Sequence, residues 1–93
     1  MDNIQMNISG SLEILENIIK ANGLCINTLW LIQNMPKYTL NLEVLERSIF
    51  TGFYWRKMSM LELSKQYGMD VEDIKRVLDH STNKFLKDIN ILV

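Results

Sequence analysis

The sequence predicts a small all-α bundle of about five helices. Apolar residues recur at spacings of three and four, Gly and Pro are sparse at four and one, and Ser, Asn or Asp precedes several of the apolar runs. With 93 residues, 47% of them hydrophobic, the chain fits a single domain over residues 1–93 and excludes large catalytic architectures. A chain this short buries only about 60–65% of the surface its unfolded form exposes, so a partner or self-association surface would add to a slim margin.

The opening Ile4, Met6 and Ile8 alternate with polar residues, which suits a short N-terminal strand or ordered arm. Ser9 or Ser11 then offers an N-cap to a helix whose inner side is Leu12, Ile14, Leu15, Ile18 and Ile19, closed at Asn22 by Gly23. Leu24 to Asn34 is apolar nearly all round and reads as a short buried helix that Pro36 ends. Leu42, Leu45 and Ile49 predict a third helix, with Glu43, Glu46 and Arg47 on its far side and Gly52 as its stop. Ser59 caps a fourth helix over Met60 to Tyr67, and Asp70, paired weakly with Asp73, caps a fifth that runs to about Asp88.

Ten basic and eleven acidic residues give a net charge of −1, so no polybasic or acidic tail is present. Residues 1–46 hold two basic and five acidic side chains, whereas residues 47–93 hold eight basic and six acidic; an anionic partner is expected on the C-terminal half. The lone Cys25, between Leu24 and Ile26, reads as a small buried hydrophobe rather than a nucleophile, and a cytoplasmic location fits it best. The longest uncharged stretch is too short and too polar to span about 30 Å of hydrocarbon, and no secretory signal opens the chain, so no membrane role is expected.

Met60 to Leu78 supplies the parts of a helix-turn-helix. Leu63 is the inner residue, Ser64 the small residue at the crossing, Gly68 the turn residue that tolerates φ > 0, Met69 the plug and Asp70 the cap. Ile74, Val77, Leu78, Ser81 and Phe85 then continue one inner stripe. On these residues the segment from Leu40 to Leu86 resembles the region-4 domain of bacterial sigma factors: LNLEVLERSIF, MSMLELSKQYGMD and VEDIKRVLDHSTNKFL match in order. The LuxR-type C-terminal domain shares the layout, but the seven-residue step from Gly52 to Ser59 is longer than that family usually allows. Residues 39–93 thus form the sigma-like part. Residues 1–38 form an N-terminal helical part, outside the resemblance, that packs against it or makes a dimer seam including Trp30.

The resemblance implies a second helix lying in the major groove of duplex DNA. Opposite the inner stripe stand Glu72, Arg76, His80, Asn83 and Lys87, flanked by Lys75 and Asp79. Lys75 or Arg76 suits guanine O6/N7 and Glu72 suits cytosine N4, so Glu72, Lys75, Arg76 and His80 are the expected base readers. Arg56, Lys57 and Ser59, at a helix start where free N–H groups attract anions, are the expected phosphate contacts, with Lys65 and Lys84 adding to them. About four neutralised phosphates give a salt slope near −3.6 in log K. Competing readings are a Glu72–Arg76 pair that satisfies the exposed face without any ligand, and a Phe53-Tyr54-Trp55 cluster that belongs to the core rather than to a base-stacking platform.

His80 has no Cys or His at ligand spacing, and no nucleophile triad, phosphate loop or carboxylate pair stands out; neither a metal, a cofactor nor an enzymatic activity is expected. The expected function is a DNA-binding transcription regulator. The alternative is a protein-interaction module that binds RNA polymerase or a sigma factor without tight DNA binding of its own; a homodimer would suit two DNA half-sites.

Overall fold

The computed structural model describes residues 9–92, with side chains through Asn90. Five helices follow in order: α1 Leu12–Ala21, α2 Thr28–Thr39, α3 Val44–Tyr54, α4 Met60–Tyr67 and α5 Val71–Leu92. No helix among the described residues is long and apolar enough to cross a membrane. The anticipated arm over Ile4 to Ile8 lies outside the described residues. Its neighbour Ser9 forms an isolated antiparallel bridge with Ser59.

α1 starts and stops as its residues dictate. Ser11 Oγ accepts from the Ile14 N–H at 3.3 Å, and the chain leaves the helix through Asn22 and Gly23, the latter at φ +82°. The linker alternates, so Ile26 is buried while Cys25 is exposed. Cys25 is therefore not the buried hydrophobe its neighbours suggested: the segment between α1 and α2 turns Ile26 into the core and leaves Cys25 outside it.

α2 departs further from expectation. It begins at Thr28, where Asn27 Oδ1 accepts from the Trp30 N–H at 2.8 Å, and it continues through Pro36 to Thr39. An interior proline costs about 3 kcal/mol through the lost N–H and its ring clash. Burial of Met35 and Tyr38, each worth about 2 kcal/mol, offsets that cost. Tyr38 stacks on Trp30 at 5.7 Å between ring centroids and meets Phe85 edge-on at 6.3 Å. Nor is α2 buried all round, since Leu29 and Ile32 face outward.

α3 is rotated from the expected phase. Its inner ridge is Glu46, Ile49, Phe50 and Phe53, while Leu45 is exposed; the aromatic residues outweigh one leucine in choosing the buried side. Gly52 lies inside this helix rather than ending it. A Cβ there would sit 2.9 Å from Leu63 Cδ2, so the glycine lets α4 approach α3 closely. Phe50 packs on Phe85 and Tyr54, at centroid separations of 5.1 and 4.8 Å. The buried Tyr54 hydroxyl lies 2.9 Å from Thr82 Oγ1, whose own proton goes to Leu78 O at 2.7 Å. Tyr54 is therefore the donor in the first bond, and burial raises its pKa above the ordinary 10.0 despite the Thr82 contact.

α4 and α5 match their expected starts. Ser59 Oγ accepts from the Glu62 N–H and Glu62 Oε1 accepts from the Ser59 N–H, a reciprocal capping box. Gly68 ends α4 in the left-handed conformation at φ +63°, and Ser64 Oγ donates to Met69 O across the turn. The Asp70 carbonyl then accepts from the Ile74 N–H at 3.0 Å. One continuous core unites the N-terminal helices with α3–α5.

The start of the described chain is strapped to the α3–α4 loop, with the Gly10 N–H donating to Met58 O at 3.1 Å. A Cβ at Gly10 would lie 1.9 Å from Phe53 O, whereas one at Gly23 would meet nothing within 4 Å. Gly10→Ala should therefore cost about 3 kcal/mol through a backbone displacement, and Gly23→Ala about 1 kcal/mol through its left-handed φ alone. Thermal unfolding checks this: the Gly10 variant should lose more than about 10 °C in Tm and the Gly23 variant roughly half of that or less.

Candidate nucleic-acid interface

The wet face of α5 is set by its dry one. Ile74, Leu78, Ser81, Phe85 and Ile89 are buried, and at 100° per residue this turns Glu72, Lys75, Arg76, Asp79, His80, Asn83 and Lys87 outward, where all seven are exposed. The four expected base readers, Glu72, Lys75, Arg76 and His80, share this face within about the first three turns. α5 is about 33 Å long at 1.5 Å per residue, and the left-handed Gly68 sets it off from α4 at a corner.

Arg76 is only loosely engaged. Its Nη1 lies 3.1 Å from Asp73 Oδ1, with the two side chains 75% and 46% exposed. The pair anticipated with Glu72 is thus made with Asp73 instead, one residue closer along the helix. Such an exposed pair is worth at most about 1 kcal/mol, so the guanidinium is available to a ligand.

His80 and Lys84 are held by α3. Glu46 is 9% exposed; its Oε1 accepts from the Glu43 N–H at 3.0 Å and from Lys84 Nζ at 3.2 Å, and its Oε2 lies 3.3 Å from His80 Nε2. One carboxylate therefore caps α3 and clasps α5. Burial would raise the Glu46 pKa, but the Glu43 N–H, the Lys84 hydrogen bond and charge, and His80 outweigh it and hold the group below its ordinary 4.5. Sequence periodicity had placed Glu46 on the outer side of its helix. The spacing 46, 49, 50, 53 was the signal that placed it inward.

The expected phosphate contacts divide. Arg56, Lys57 and Lys65 are exposed, and Lys57 sits at φ +60°, a left-handed conformation uncommon outside glycine. Ser59 does not serve as expected: it is buried, and its N–H and hydroxyl are both engaged by Glu62. That carboxylate fills the anion position at the start of α4. Lys84 is half-buried against Glu46 and acts first as a clasp. Phe53 and Tyr54 belong to the core, whereas Trp55 is exposed and borders a separate groove with Arg56.

The Glu46 clasp gives a signed pH dependence. A carboxylate whose folded pKa is depressed stabilises the fold fully above its unfolded value, near pH 4.5, and that stabilisation fades as pH falls through the folded pKa. Urea unfolding of the native chain between pH 7 and pH 3 should show this loss, and Glu46→Gln should flatten it. At pH 7, Glu46→Gln should cost about 1 kcal/mol and Glu46→Ala about 2 kcal/mol, the larger value reflecting the acceptor removed from the Glu43 N–H. In comparison with known proteins, no family model, curated protein or solved structure matches the chain.

Proposed function

We propose that the protein is a DNA-binding transcription regulator that docks α4–turn–α5 on duplex DNA as a helix-turn-helix, with the wet face of α5 in the major groove. The observation that carries this reading is the separation of faces on α5: a continuous buried stripe fixes its rotation, and Glu72, Lys75, Arg76 and His80 stand together on the opposite side. The major groove is about 12 Å wide and admits one helix. Lys75 and Arg76 suit guanine and Glu72 suits cytosine, while Arg56, Lys57 and Lys65 meet phosphates. The reading agrees with the resemblance of Leu40 to Leu86 to sigma region 4.

The electrostatics favour modest affinity. Asp70, Glu72 and Asp73 crowd the start of α5, where they stabilise the helix dipole and repel phosphate. That acidic cluster is the observation favouring a second reading, a protein-interaction module that engages RNA polymerase or a sigma factor.

With Ser59 sealed and Lys84 clasped, about three phosphates are neutralised, and log K should fall against log[salt] with a slope near −2.7. Fluorescence anisotropy on mixed-sequence duplex DNA at several salt concentrations measures the slope. An Arg56/Lys57/Arg76 triple alanine variant should bind more weakly and with a slope shallower by about 1.8, the share of two phosphate contacts. Binding that is absent, or indifferent to salt, in the native chain would exclude the duplex reading and leave the interaction module.

A further inference from the structure

Away from α5, the last turn of α2 and the outer side of α3 enclose a groove of about 400 Å³. Met35, Pro36, Leu40 and Trp55 give it apolar walls, Arg47 and Arg56 supply its charge, and none of its lining residues is acidic. Leu40 is 67% exposed and Trp55 45% exposed, and Val44, one turn before Arg47 on α3, is 74% exposed. Large apolar side chains concentrated beside a groove mark a binding surface more than scattered ones do.

We propose that this groove binds an amphipathic helix of a partner protein, with apolar anchors at i, i+4 and i+7 flanked by Glu or Asp. Three observations select that occupant. Both walls are helices, so an extended peptide would find no strand edge to join, whereas a helix satisfies its own backbone. The groove follows α3 from Arg47 to Trp55, about two turns, which matches the span of such anchors. Its formal charge is purely cationic. Arg47 donates through Nε to Thr39 O at 3.2 Å and through Nη2 to Leu42 O at 3.3 Å, which fixes the guanidinium in place and leaves Nη1 to a carboxylate. The same charge disfavours a second copy of this chain, because a two-fold axis through the groove would set like charges against each other. The groove shares Arg56 with the phosphate contacts proposed for duplex binding, whereas its apolar walls and Arg47 have no part in that reading.

The test uses the full chain and two peptides of about 16 residues, both free of Trp, with Leu at the anchor positions. One carries Glu at every flanking position and the other Lys. In ¹⁵N-edited NMR titrations the Glu peptide should shift residues of the groove, including the Trp55 indole, and should bind at least about tenfold more tightly than the Lys peptide. Leu40→Ser, at an exposed position, should weaken the Glu peptide about tenfold while leaving duplex affinity unchanged. Equal binding of the two peptides, shifts confined to α5, or no shift at millimolar peptide would overturn the proposal. So would sedimentation equilibrium showing a dimer of the chain that Leu40→Ser dissociates, since the groove would then be an interface between copies.

Discussion

The rotation of α5 about its own axis is the constraint from which the remaining geometry follows. Six buried residues from Ile74 to Ile89 lie on the side of α5 that packs against α2, α3 and α4, and burying each large apolar one is worth about 2 kcal/mol. Turning the helix by a single residue would rotate its stripe by about 100° and bring charged side chains into the core. Phe85 sits at the centre, touching both Tyr38 of α2 and Phe50 of α3. The outward placement of Lys75 and Arg76 is thus a by-product of packing, requiring no ligand to hold it.

Glu46 adds a polar complement to that packing. Hydrophobic burial has little directional preference, whereas a carboxylate that accepts from the Glu43 N–H and from Lys84 has one satisfactory position. It registers α3 against α5 at one level of the bundle, and the Tyr54–Thr82–Leu78 relay does so at another. The clasp also draws His80 and Lys84 toward Glu46, while Lys75 and Arg76 stay exposed in the first turns of α5. Two surfaces of differing character result: a mixed-charge face on α5 and an apolar, cationic groove behind it between α2 and α3.

Local signals were readable where the physics is local. The Ser59 cap, the Gly68 corner and the stripe from Ile74 to Phe85 depend on residues within a few positions of one another, and each stands where the sequence placed it. Pro36 misled because its penalty is local while the burial of Tyr38 is tertiary. The phase of α3 misled for a related reason. Leu45 and Phe53 both fit a 3.6-residue repeat, and the buried side is the one whose Phe50 meets Phe85, thirty-five residues away. Ser59 shows the same limit at the site: a cap residue reads as an anion binder until Glu62 is seen to occupy its donors. The groove had no sequence signature, because Pro36, Leu40 and Trp55 become neighbours only through the α2–α3 crossing.

The strap at Gly10 bears on the order in which the chain is assembled during translation. Gly10 leaves the ribosome before Met58, the residue whose carbonyl it binds, and elongation at about 5–20 residues per second separates the two by roughly 2–10 s. Helix formation takes about a microsecond or less, so α1 has ample time to form and fray before its anchor exists. The strap can close as soon as Met58 has emerged, before α5 is synthesised, so it holds the start of α1 against the α3–α4 loop while the helix that completes the core is still to come.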